Sequence, residues 1–128
     1  MSKGKWRLKV KKEFAAAHQL RNYGGKCENM HGHNFGVEVE IEGNHLDSKV
    51  EILMDFKVLK NELGAVLETL DHKHLNSVEY FEHRNPSSEN IAHYIFNEMK
   101  KRVQTDGIKL VYASVSEKDS SVATYSED

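Results

Sequence analysis

The run Phe35-Gly36-Val37-Glu38-Val39-Glu40-Ile41-Glu42 alternates apolar with small or acidic residues without a break. Successive strand side chains point to opposite faces, so this spacing puts Phe35, Val37, Val39 and Ile41 on one side and the glutamates on the other. Such a segment needs a strand neighbour for its backbone and a partner for its apolar face. An earlier stretch has the same period. Trp6, Leu8, Val10 and, past a polar position, Phe14 and Ala16 share one parity, which predicts a strand over residues 5–16, with Lys5, Arg7, Lys9 and Lys11 on its wet face.

Helical spacing takes over further along. Asp55 is a suitable N-cap ahead of Phe56, Leu59, Leu63, Val66 and Leu70, and the preceding Glu51-Ile52-Leu53-Met54 reads as a short strand or an extended lead-in. After the polar loop Asp71–Asn76, the segment Asn85-Pro86-Ser87-Ser88-Glu89-Asn90 predicts a second helix start. Pro86 stops what comes before, Ser87 or Ser88 caps, and Ile91, Ile95, Met99 and Val103 form a buried stripe. Asp106-Gly107 closes that helix, Ile108 to Ser116 returns as a strand, and Val122 to Tyr125 is a last short one. The order strand, strand, helix, helix, strand, strand predicts an α+β sandwich with an antiparallel sheet. A length of 128 residues without repeats fits one domain, 1–128.

Hydrophobic content of 38% with 30% charged residues excludes a disordered chain, and a formal charge of −2 gives no field that would draw nucleic acid or an anionic membrane. The absence of a long apolar run and of a signal-type N-terminus, together with a lone cysteine that cannot form an internal disulfide, leads to the expectation of a cytoplasmic protein.

Chemistry concentrates around Cys27-Glu28-Asn29-Met30-His31-Gly32-His33. His31 and His33 lie on the apolar parity of the second strand, and His18 lies on that of the first. Antiparallel pairing brings His18 towards the other two. Three neutral imidazoles with an open fourth position match a catalytic zinc site, and without a metal they would be buried polar groups in need of partners. Cys27 follows the turn-forming Asn22–Lys26. It is either a small buried hydrophobe or a thiol whose thiolate is favoured beside a cation and serves as base or nucleophile. Asp71-His72 is either the polar end of a helix or a carboxylate-tuned proton relay. Glu117 shares parity with Val111, Ala113 and Val115, so its carboxylate faces inward and suits a ligand edge with two adjacent N–H donors. His45, His74, His83 and His93 read as loop or helix-surface residues, and Tyr23, Tyr80 and Phe81 as packing.

Taken in order, Phe14-Ala15-Ala16-Ala17-His18, Cys27-x3-His31-Gly32-His33, Met54-Asp55-Phe56, Leu70-Asp71-His72-x2-Leu75-Asn76, Asn85-Pro86-x2-Glu89-Asn90 and Glu117 resemble the 6-pyruvoyltetrahydropterin synthase family. The short gap between Cys27 and His31 is similar to that of the 6-carboxytetrahydropterin synthases of queuosine biosynthesis. The resemblance implies a tunnelling fold, in which ββααββ subunits with two helices on one face join their sheets into an oligomeric barrel, commonly a hexamer. It implies zinc held by His18, His31 and His33, Cys27 as catalytic base, Asp71 and His72 as its relay from a neighbouring subunit, and Glu117 as pterin anchor. The implied substrate is 7,8-dihydroneopterin triphosphate, with no nucleic-acid or membrane partner. Ser87 stands where the family often has Thr, and Lys118 where a hydroxyl residue is common.

Overall fold

The computed structural model describes residues 4–22 and 29–128. Strands β1 (Trp6–His18) and β2 (His31–Gly43) pair antiparallel in unbroken register, from Trp6 opposite Gly43 to His18 opposite His31. Both run past the alternating segments, because the ladder continues through Ala15–Ala17 and Gly32, which carry no apolar alternation for the sequence to display. That extension places the histidines. His18 ends one strand directly across from His31, which begins the other.

The helices are α1 (Phe56–Glu68) and α2 (Ser88–Val103). The Asp55 carboxylate accepts from the Lys57 N–H at 2.8 Å, and Ser87 Oγ accepts from the Asn90 N–H at 3.1 Å, so each helix start has a capped donor. A two-residue strand β3 (Lys73–His74) lies between them in sequence and pairs parallel with Ala16 and Ala17. Strands β4 (Lys109–Lys118) and β5 (Ser121–Ser126) complete the sheet in the order β3-β1-β2-β4-β5. The sheet is therefore antiparallel except at one edge, where Asp71–Asn76 includes β3 and is not purely loop. Helix α1 packs on β1, and α2 packs on β4 and β5. Phe35, Val37, Val39 and Ile41 meet Leu59, Leu63, Val66, Ile91, Ile95, Met99 and Val103 in one buried core. Each side chain of this size contributes about 1.5–3 kcal/mol on burial.

Three expectations are corrected. Phe56, the first residue of α1, is 54% exposed, and Leu67 joins the buried stripe instead. Glu51–Met54 is no strand. The Asp47 carboxylate accepts from the N–H groups of Lys49 and Val50 and turns the chain just ahead of the segment, and Glu51 leaves that turn with φ 64°. Val111 is not a core-face residue either, because the β2–β4 register slips between Glu40 and Ile41, so that Leu110 is buried in line with Ala113 and Val115.

On the face away from the helices, Lys5 and Arg7 pair with Glu42, and Lys9 and Lys11 with Glu38. Tyr112 Oη also donates to Glu38; burial, with this bond, holds the tyrosine pKa above its usual value, and the bond keeps that of Glu38 below the usual carboxylate range. Opposite charges cancel across this face, so it offers no single-sign patch. Among the described residues, no helix is long and apolar enough to cross a membrane.

Candidate metal centre

His18, at the end of β1, is 1% exposed, and its ring stands 4.5 Å from that of His31 and 5.6 Å from that of His33. One ligand atom from each of the three histidines lies within 4.8 Å of the others. Phe35 packs edge-on against both His18 and His33 and forms the apolar floor. The fold places these rings by simple means, since His31 and His33 share one face of β2 and His18 is the cross-strand neighbour of His31.

Hydrogen bonding settles two tautomers. A carbonyl oxygen only accepts, so the 2.7 Å contact between His18 Nδ1 and Pro86 O requires a proton on Nδ1. His31 Nδ1 donates likewise to Asn29 O at 2.8 Å. With Nδ1 carrying the proton, the neutral form of either ring presents Nε2 as a bare lone pair. His18 Nε2 is buried without a hydrogen-bond partner, the only such side-chain atom among the described residues. Burial lowers the His18 pKa below 6.5, outweighing the Pro86 carbonyl and Glu117, which act the other way. The ring is therefore neutral at pH 7, the state a metal ligand requires.

Glu117 completes the polar surroundings. It stands where the β4–β5 register slips between Ser116 and Lys118, and it keeps the inward parity of the buried Ala113 and Val115. One carboxylate oxygen lies 3.4 Å from His18 Nε2 and the other 3.5 Å from His33 Nε2. A bare imidazole lone pair facing a carboxylate is two acceptors with nothing between them, and a cation resolves that conflict. The orphaned Nε2, the fixed tautomers and the all-nitrogen donor set fit a divalent metal of the zinc class.

The other predicted residues are placed differently. Asp71 and His72 stand at the outer edge of β1. Asp71 Oδ1 accepts from the Ala15 N–H at 2.9 Å, the His72 N–H donates to Ala15 O, and His72 has φ 58°, a left-handed conformation uncommon outside glycine. The His72 side chain is 82% exposed with Nε2 3.5 Å from Asp71 Oδ2. It shares an open cleft of about 480 Å³ with His33, yet makes no ring contact with the three clustered histidines. Cys27 falls outside the described residues. Pro86 does more than end a segment, because its carbonyl holds the Nδ1 side of His18, and the pair Asn85-Pro86 is the only mark of this in the sequence. His93 also has more partners than its position off the helix stripe indicated, with Tyr80 Oη 2.6 Å from Nδ1 and Asn97 Nδ2 3.3 Å from Nε2.

Residues 7–128 match the profile of the family described as 6-pyruvoyl tetrahydropterin synthase. Over 100 residues the chain is 37% identical to a 6-carboxy-5,6,7,8-tetrahydropterin synthase of Synechocystis, covering 75% of this chain and 76% of that one. It is 35% identical over 113 residues to a dihydroneopterin monophosphate aldolase of Pyrococcus furiosus, covering 88% of this chain and 90% of the other. The solved structure of the Caenorhabditis elegans 6-pyruvoyl tetrahydropterin synthase superposes with a TM-score of 0.85 at 28% identity, over 98% of this chain and 97% of that one.

Proposed function

The chain belongs to the 6-pyruvoyl tetrahydropterin synthase family, and from that membership we propose that it is a zinc-dependent lyase forming 6-carboxy-5,6,7,8-tetrahydropterin. The substrate is 7,8-dihydroneopterin triphosphate, which with water yields the carboxypterin, acetaldehyde and triphosphate. The observation that carries this reading is the buried, unbonded Nε2 of His18 beside His31 and His33. The Cys27-x3-His31 spacing and the likeness to the Synechocystis protein favour the 6-carboxy product over the 6-pyruvoyl one.

Each residue has a stated task. His18, His31 and His33 hold the metal, which when bound supplies Lewis acidity at the side-chain oxygens of the substrate. Glu117 accepts from the adjacent N–H donors of the pterin edge, and this orients the side chain towards the histidines. Cys27, as thiolate, removes a proton from a side-chain carbon. His72, oriented by Asp71 at 3.5 Å, returns one at another position. The Asp71–His72 pair faces outward at a sheet edge in its own chain, which supports its service to the site of an adjoining copy in a homo-oligomer.

A second reading follows from the likeness to the Pyrococcus aldolase, namely aldolase-type cleavage of the pterin side chain. The two readings share the histidines and differ in product. Cys27→Ala is expected to keep zinc and pterin binding and to lose turnover, and full turnover would overturn its role. His31→Ala is expected to lose zinc on dialysis, and unchanged zinc content would reject the site.

A further inference from the structure

On the edge of β1 that faces β3, the parallel ladder ends at Ala17 opposite His74, and among the described residues no strand continues it beside Gln19–Arg21. Two asparagine side chains take the place of one. Asn76 Oδ1 accepts from the Gln19 N–H at 2.9 Å while its Nδ2 donates to Gln19 O at 2.8 Å. Asn85 treats Arg21 identically, accepting from its N–H and donating to its carbonyl, both at 2.8 Å. Gln19 and Arg21 are alternate residues on one edge, and a real strand neighbour would engage that same set. The pattern begins earlier along the edge, with Ala15 bonded through both backbone groups to Asp71 and His72 and Ala17 opposite His74.

Asn85 is tied to the metal centre more closely than Asn76. The carbonyl of the residue after it, Pro86, accepts from His18 Nδ1–H and thereby fixes the ring's tautomer and direction. Its own carbonyl accepts from Asn90 Nδ2 at 2.9 Å, which anchors the dipeptide to the first turn of α2. Arg21 grips back, its guanidinium donating to Arg84 O at 3.0 Å and to Phe81 O at 2.9 Å. Asn85-Pro86 therefore closes the chain between His18 and Arg21 into a ring. If Asn85 lets go of Arg21, the carbonyl that orients His18 moves with it.

We propose that Asn85, supported by Asn76, is a positioning residue of the metal centre, its carboxamide acting as a one-residue strand that sets the His18 imidazole for its ion. The proposal rests on the metal reading above. Groups that orient a metal ligand from behind typically change affinity by ~10–100-fold when removed.

The test uses the full chain, freed of metal, with Co(II) as the probe. Affinity is measured by competition with a chelator, the ligand-field spectrum reports geometry, and nitrogen-15 imidazole shifts of the apoprotein report the His18 tautomer. Asn85→Ala and the isosteric Asn85→Asp, which cannot donate to Arg21 O, are expected to bind Co(II) ~10–100-fold more weakly, to alter the spectrum and to lose the pure Nδ1–H form of His18. Asn76→Ala is expected to change affinity less, and Asn61→Ala on the exposed side of α1 not at all. A purely structural role would lower apoprotein stability while leaving the spectrum and tautomer of the folded protein unchanged, and that result overturns the proposal. Wild-type protein that binds no Co(II) overturns the metal reading and the proposal together; binding that is equal in wild type and both Asn85 variants overturns the proposal alone.

Discussion

Replacing His18 by leucine separates what the buried imidazole does for the fold from what it does for the ion. In the apoprotein two terms oppose each other. Removing a buried nitrogen that has no partner relieves a desolvation cost of ~1–3 kcal/mol. Deleting Nδ1–H leaves the buried Pro86 carbonyl without its donor, a cost of similar size, ~1–3 kcal/mol. Leucine keeps apolar contact with Phe35, whose ring centre is 5.2 Å from that of His18. The apoprotein is therefore expected to change by less than ~2 kcal/mol, the difference between these two terms. With zinc the outcome differs. At free metal a thousand times the dissociation constant, binding to the native state alone adds ~4 kcal/mol, and His18→Leu is expected to lose nearly all of it. Denaturant unfolding at fixed protein concentration, with zinc and with a chelator, reads both numbers. A variant that gains as much from zinc as the wild type refutes the ligand assignment. Apoprotein stability falling by more than ~4 kcal/mol, beyond either term, refutes the claim that this imidazole is uncompensated in the fold. Acid adds a signed check. Burial lowers the folded-state pKa of His18 below 6.5, so between those two values the unfolded chain binds more protons. The corresponding stability is present above pH 6.5 and is lost as pH falls towards the folded-state value. Metal-free wild type should therefore weaken relative to His18→Leu over that window, and a pH-independent difference contradicts it.

Asp71→Asn retains an acceptor for the Ala15 N–H but removes the charge beside His72. It is expected to fold with stability within ~1 kcal/mol of wild type, about the worth of one hydrogen bond, while turnover falls ~10²–10⁴-fold as for loss of a general acid–base group; unaltered turnover excludes the relay. Glu117→Gln keeps the size and one acceptor but faces one of the pterin donors with an amide N–H. Pterin affinity measured by calorimetry should drop ~10–100-fold, the ~1.5–3 kcal/mol of a charge-assisted bond, and unchanged affinity rejects the anchor.

Much of this site is legible in a single sequence because it is built on strands. Parity carries His18, His31 and His33 to the core face, and antiparallel pairing of the first two strands carries His18 to the other pair, since period-two geometry leaves a side chain only two faces. The cross-strand match of His18 with His31 follows from a register set by thirteen-residue strands whose last turns of ladder are alanine and glycine, and those residues leave no apolar trace. Parity also carries Glu117 inward with Ala113 and Val115, but a bulge is invisible to it, and the one between Glu40 and Ile41 moves Val111 off the core face. The asparagines are harder still. Asn76 and Asn85 read as loop and helix lead-in, because a side chain that mimics a strand has no periodicity of its own. Phe56 fails for the opposite reason, since helical spacing identifies a stripe but not whether its first residue is covered.

Incubating zinc-loaded protein with 7,8-dihydroneopterin triphosphate and identifying the products by mass spectrometry is the most direct test of the central claim. Equal amounts of 6-carboxytetrahydropterin and acetaldehyde, with released triphosphate, are the expected result. A 6-pyruvoyl product, or one from aldolase-type cleavage of the side chain, would replace the proposed reaction with another. Substrate recovered intact from protein with its zinc in place would contradict the assignment of this site to pterin chemistry.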